Sequence, residues 1–158
     1  MKTLIAFGTR YGCTEKCSKK LAEMLSNDVG TVNLKENLKI DLEEYDTVII
    51  GGSIVIGKIN GEVKKFCTSN LLDLLKKRIG LFICAGDADK TGEYLKNNFP
   101  AELVNHASAT GYFGYGINFE KLNFALRGMM RKNYKTDKSF TKIIEDNISK
   151  LVSEIKSV

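Results

Sequence analysis

Apolar residues follow two rhythms along this chain. Short continuous runs at 3–7, 47–50 and 79–85 are rich in β-branched residues and lack polar alternation, which predicts strands buried on both faces. Between them the apolar positions take helical spacing. Cys17, Leu21, Ala22, Met24 and Leu25 predict a helix over 14–25, and Val63, Phe66, Cys67 and Leu71 predict one over 62–77. A weaker strand is expected over 30–34. A further helix is expected to run to about Asn98, capped by Asp87 or Asp89 and stopped at Phe99 and Pro100. A longer last strand is expected over 105–116, with His106 on the surface near its start. The stripe Phe140, Ile143, Ile144, Ile148, Leu151, Val152 and Ile155 predicts a closing helix over 138–155.

Strands that alternate with helices predict a parallel sheet covered on both faces, because parallel neighbours must be joined by crossovers. Right-handed crossovers and a glycine-bearing turn after the first strand favour the order 2-1-3-4-5. The expectation is an α/β three-layer sandwich with a five-stranded parallel sheet and helices on both faces. Ligands on such a sheet sit beyond the carboxyl ends of strands one, three and four.

At 158 residues, 43% hydrophobic and 27% charged, the chain is expected to fold as one domain over 1–158, with an inserted basic segment at 117–138. That insertion reads as a helix over 119–130 followed by a basic loop. No apolar run reaches the roughly 20 residues of a membrane span, and the run before Gly8 is too short for a secretory signal. Cys13, Cys17, Cys67 and Cys84 form no CxxC pair and, with the lone His106, give no zinc signature; reduced thiols in the cytoplasm and no metal are expected. The net charge of +5 suits acidic partners, but no basic face interleaved with aromatics points to nucleic acid.

The chemistry concentrates in the first turn, Gly8-Thr9-Arg10-Tyr11-Gly12-Cys13-Thr14, which opens a helix. A phosphate monoester needs donors converging from one side, and a helix's first turn supplies free N–H groups with a favourable dipole. Thr9 and Thr14 add hydroxyls, Gly12 lets the backbone fold close, and Arg10 adds charge. A Walker loop would need lysine where Cys13 stands, and a dinucleotide fingerprint would need a third glycine. Cys13 at a helix N-terminus also favours a thiolate, which suits a redox sensor or simply a small residue beside phosphate.

The pattern Thr9-x-x-Gly12-x-Thr14 after an apolar strand resembles the FMN-phosphate loop of flavodoxins, with Tyr11 standing where the usual pattern carries a third hydroxyl residue. The resemblance implies a flavodoxin-like fold, FMN bound noncovalently, and electron transfer to redox partner proteins or a quinone, with no catalytic residue of the chain's own. Thr9, Arg10, Tyr11, Gly12, Cys13 and Thr14 would hold the phosphate. The loop Ser53, Ile54, Val55, Ile56 and Gly57 and the loop Cys84, Ala85, Gly86 and Asp87 would clamp the ring. The chain has no Trp, so stacking would fall to aliphatic residues or to Tyr112 or Tyr115.

The start Lys2-Thr3-Leu4-Ile5, the run from Tyr45 to Ile54, and Gly111 to Tyr115 followed by Phe124, Met129 and Met130 resemble the menaquinone-dependent protoporphyrinogen oxidases of bacteria. That resemblance implies an alternative, an FMN-dependent oxidoreductase at the membrane surface. The third-strand loop is poorer in aromatic and basic residues than in those oxidases. The insertion carries Lys121, Arg127, Arg131, Lys132, Lys135 and Lys138. It reads either as a helix packed over the flavin edge or as a peripheral contact with an anionic membrane. A non-flavin regulator of this fold would need an acidic phosphoacceptor cluster that the first strand lacks.

Overall fold

The computed structural model describes residues 1–25, 28–135 and 137–157. Strand β1 (Thr3–Phe7) leads into helix α1 (Cys13–Leu25) and strand β2 (Val29–Asn33). Strand β3 (Thr47–Val55) turns back as the two-residue β4 (Lys58–Ile59), followed by α2 (Gly61–Ser69), α3 (Leu71–Leu74) and β5 (Arg78–Cys84). Helices α4 (Thr91–Asn98) and α5 (Ala101–His106) precede β6 (Ala109–Ile117). Helix α6 (Phe124–Tyr134), β7 (Phe140–Ile143) and α7 (Glu145–Lys156) complete the chain.

The sheet runs β2-β1-β3-β5-β6-β7, and its first five strands are parallel. This is the expected 2-1-3-4-5 order, with two additions. Residues 140–143 form an antiparallel edge strand against β6, not the start of the last helix. Four residues are too few for apolar spacing to separate helix from strand, and docking here pairs an open sheet edge. The second addition is β4, which pairs antiparallel with the end of β3.

Other boundaries move for local reasons. The expected 62–77 helix breaks at Asn70, whose side-chain amide donates to Phe66 O at 2.9 Å and closes the helix end. Residues 105 and 106 belong to α5 and not to the last strand; His106 is exposed, its Nε2 lying 2.7 Å from Lys77 O. A 3₁₀ turn (Ala88–Lys90) precedes α4, and Asp87 makes no capping bond there; its carboxylate instead accepts from the Tyr94 hydroxyl at 3.4 Å. The helix expected over 119–130 begins as a 3₁₀ turn (Phe119–Lys121), and α6 starts where Asn123 Oδ1 accepts the Leu126 N–H at 2.9 Å.

Alternation along the strands sends side chains to opposite faces, and helices cover both. On one face Leu4, Ala6, Val48, Ile50, Leu81 and Ile83 pack under α2 to α5 through Val63, Phe66, Leu95 and Leu103. On the other, Ile5, Ile49, Phe82 and Phe113 meet α1 and α7 through Cys17, Leu21, Ile148, Leu151 and Ile155. Phe82 stacks on Phe113 with centroids 4.4 Å apart, and Gly51 is what lets the Phe82 ring lie against β3, because a Cβ at Gly51 would run into that ring. Phe82→Ala removes a fully buried ring and is worth about 3–5 kcal/mol. Among the described residues, no helix is long and apolar enough to cross a membrane.

Candidate functional site at the carboxyl edge of the sheet

Strands β1, β3, β5 and β6 all end at one edge, and the loops that leave them carry the residues singled out from the sequence. The first loop turns at Gly12, whose φ of +93° is open to glycine and costly for other residues. The turn is held from inside: the Gly12 N–H donates to Thr9 Oγ1 at 3.0 Å. Lys16 is the first residue of α1 seen to donate back, to Gly12 O at 3.1 Å, so the amides of Cys13, Thr14 and Glu15 have no acceptor within the helix. Those amides and the helix dipole face the mouth of the turn.

Ser53, at the end of β3, ties this loop to the next one. Its Oγ accepts the Arg10 N–H at 3.3 Å and shares a hydrogen bond with the buried Thr14 Oγ1 at 2.9 Å. Only one hydrogen sits between the two hydroxyls, so the second remains free to donate outward. The Thr9 hydroxyl, which accepts from Gly12, likewise keeps its own hydrogen. Three hydroxyls, a glycine at positive φ and a helix N-terminus therefore suit a phosphate group. The Ser53 N–H is fixed by Asn60 Oδ1 at 2.8 Å, a contact not foreseen from sequence.

Tyr11, Cys13, Ser53, Ile54, Val55, Cys84, Tyr115 and Gly116 line one small pocket. Seven of these eight are expected site residues; Gly116 is the newcomer. Ile54 packs into the core beneath, Val55 is half-buried, and Ile56 stands at the tip of the β3–β4 turn with 73% of its surface exposed. Ile56 (φ +51°) and Gly57 (φ +74°) are both left-handed, as a two-residue hairpin turn of the I′ kind demands. For a β-branched residue that conformation is strained. The turn is braced from outside, since Asn98 donates its side-chain amide to Gly57 O at 3.1 Å and accepts the Ile59 N–H at 3.0 Å.

After β5, Ala85 is clamped by two bonds, its N–H donating to Gly114 O at 2.9 Å and its carbonyl accepting the Tyr112 hydroxyl at 2.6 Å. Burial pushes the Tyr112 phenol up to about 12, so it remains a donor at any ordinary pH. Gly86 lies directly under Tyr134 of α6, whose hydroxyl fills the place of a Cβ; Asp87 is exposed and points away to Tyr94. Arg10 is exposed as well.

The segment after β6 covers this edge. Ile117, Phe119, Leu122 and Met130 form a buried cluster against which Tyr11, Tyr115, Tyr134 and Phe140 pack. Tyr115 stacks on Tyr134 with centroids 5.2 Å apart and donates its hydroxyl to Met130 Sδ at 3.4 Å. Burial first, then the neighbouring tyrosines, raise the Tyr115 phenol and keep it neutral. The structure thus adds Tyr134 and Phe140 to a site whose sequence signal reached only Tyr115. They lie 19 and 25 residues further on, in α6 and β7, where no short motif marks them.

Comparison with known proteins places the chain in a family. The model of the flavodoxin domain matches residues 4–143. The fold is similar to the Streptococcus pneumonia TIGR4 flavodoxin, 18% identical with a TM-score of 0.57 over 99% of this chain and 96% of that one. It is also similar to flavodoxin 1 from Bacillus cereus, 15% identical with a TM-score of 0.54 over 100% and 99%. A third similar structure, the rubredoxin oxygen:oxidoreductase from Desulfovibrio gigas, is longer; at 15% identity and a TM-score of 0.51, 99% of this chain covers 37% of it. Among curated proteins no sequence match is found. With the family model spanning most of its length and a phosphate-type turn at the head of its first helix, this chain belongs to the flavodoxin domain family of FMN-binding electron-transfer proteins.

Proposed function

We propose that the chain holds FMN with its phosphate in the Thr9–Thr14 turn and its ring against the pocket bounded by Ser53–Gly57, Cys84–Asp87 and Tyr115, and that it passes electrons to redox partner proteins. The observation that carries this reading is the junction of the two loops at Ser53, which bonds both Arg10 and Thr14. When bound, FMN supplies the one- and two-electron chemistry, and the protein supplies binding, orientation and tuning. The amides of Cys13 and Thr14 and the hydroxyls of Thr9, Thr14 and Ser53 orient the phosphate. Ile54 and Val55 give an apolar wall that disfavours charge on the ring. Tyr115, backed by Tyr134, gives the aromatic face that a tryptophan would otherwise provide.

Rapid mixing tests the carrier role. The FMN-loaded chain, reduced anaerobically with light and mixed at low salt with an acidic one-electron acceptor protein toward which its net charge of +5 steers it, should reoxidise far faster than free FMN at the same low concentration. A rate no faster than free FMN would overturn it. We place the protein in the cytoplasm, where its four buried free thiols suit a reducing compartment.

A second reading, a quinone-reducing enzyme of the protoporphyrinogen oxidase kind at a membrane, draws support from α6. Its outer face exposes Phe124 (93%) and Met129 (38%) beside Arg131 and Lys132, a pattern suited to an anionic interface. Arg127 is not part of that face, because its guanidinium donates to Phe119 O at 2.9 Å and to Glu120 O at 3.4 Å. Two assays test this reading. Sedimentation with anionic vesicles should lose the chain when Phe124, Arg131 and Lys132 are all changed to Ala; equal pelleting removes the membrane contact. Anaerobic cycling of the flavin with a porphyrinogen and a quinone analogue should outpace free FMN; failure removes the oxidase.

A further inference from the structure

Sequence spacing separates Cys13 and Cys17 by one helical turn and sets Cys84 far away, which suggests no ligand set. The fold brings them together. The three Sγ atoms lie within 4.8 Å of one another, all three residues are buried, and Cys17 Sγ is 3.8 Å from Cys84 Sγ. None of them is spent elsewhere on a strong bond: Cys17 Sγ makes only a long contact to Phe113 O at 3.8 Å. Cys67, the fourth cysteine, sits apart on the opposite face of the sheet.

From this geometry we infer that Cys13, Cys17 and Cys84 form a three-sulfur site for a soft, thiophilic cation, monovalent copper. Metal–thiolate distances near 2.3 Å, with three sulfurs arranged in a plane around the ion, require sulfur separations of about 4.0 Å. The observed spacing is within the reach of small side-chain rotations. The donor set chooses the ion. Among the described residues no fourth His, Cys, Asp or Glu joins the group. Structural zinc takes four ligands, whereas all-sulfur, three-coordinate surroundings suit soft copper(I). Coordination replaces each thiol proton still present with a bond to the metal, and the protons leave to solvent. Cys13 and Cys84 also line the same small pocket as Tyr11, Ser53 and Tyr115. The ion would lie beneath the proposed flavin site, taking the Cys13 sulfur while the Cys13 amide stays with the phosphate.

The test is an anaerobic titration of the FMN-loaded chain with copper(I) in competition with bicinchoninate. One equivalent should bind, and Cys17→Ala should weaken it at least a hundredfold, while Cys67→Ala leaves affinity unchanged and both variants keep FMN. X-ray absorption at the copper edge should show sulfur neighbours alone. Absence of retained copper, equal affinity in Cys17→Ala, nitrogen or oxygen in the copper shell, or zinc outcompeting copper would each overturn the assignment. Since FMN retention is read separately from metal uptake, loss of one does not imply loss of the other.

Discussion

The two ends of the site are built by different means. The proposed phosphate end lies within six residues, 9–14, plus Ser53, and is made of backbone amides, small hydroxyls and one glycine. The proposed ring end draws on β3, β5, β6 and α6, and is made of side chains, chiefly Ile54, Val55, Tyr115 and Tyr134. Local backbone geometry can be altered at one position with a sharp effect, whereas a wall shared among several side chains gives way gradually. Riboflavin, which lacks the phosphate, separates the two: changes at the phosphate end should affect FMN alone, and changes at the ring end should affect both.

The largest expected effect is Gly12→Val. A β-branched residue at φ +93° costs about 1–3 kcal/mol, so FMN should bind about 10- to 100-fold more weakly by fluorescence titration while riboflavin affinity stays the same. Parallel loss of riboflavin would show that the two ends are not separable. Next is Tyr115→Ala, which removes an aromatic contact of about 0.5–1.5 kcal/mol together with the ring's buried area. Both ligands should weaken about tenfold; an effect confined to FMN would move Tyr115 out of the ring wall. Asn60→Ala should cost about 1–3 kcal/mol in thermal or urea unfolding, because the Ser53 N–H loses its acceptor. If stability is unchanged, water replaces the side chain and the brace is unimportant.

The last prediction concerns Cys67, away from both ends. Burial pushes its thiol up to about 12, above the ordinary value of 9.0. The folded form then holds a proton that the unfolded chain releases, so this contribution is complete below about pH 9 and declines as pH rises toward 12. Urea unfolding from pH 8 to 11 should lose less stability in Cys67→Ala than in the parent chain. Identical slopes would mean that the group stays ionised or neutral alike in both states.

The turn at 9–14 was legible in the sequence as a glycine-bearing connection from strand to helix, because it is local. A strand, a glycine and two threonines at fixed offsets are local, and local geometry is written in neighbouring residues. The parallel order β2-β1-β3-β5-β6 was legible too, since apolar runs and crossovers leave few alternatives. The ring end was legible only as far as its loops. Phe140 reaches Tyr115 by the docking of β7 on β6, a long-range pairing that four residues of helical-looking spacing conceal, and Tyr134 reaches it from the end of α6. Asn60 and Asn98 brace the ligand edge through single amide contacts that composition does not reveal. The convergence of Cys13, Cys17 and Cys84 likewise depends on α1 lying against the end of β5, which no spacing of cysteines announces.

Paired titrations of the purified chain with FMN and with riboflavin, followed by quenching of flavin fluorescence, test the central claim most directly. The account predicts saturable quenching by one FMN per chain and an affinity for riboflavin lower by at least about tenfold, the worth of a charge-assisted phosphate contact. Fluorescence that stays unquenched, or equal affinity for the two flavins, would contradict it.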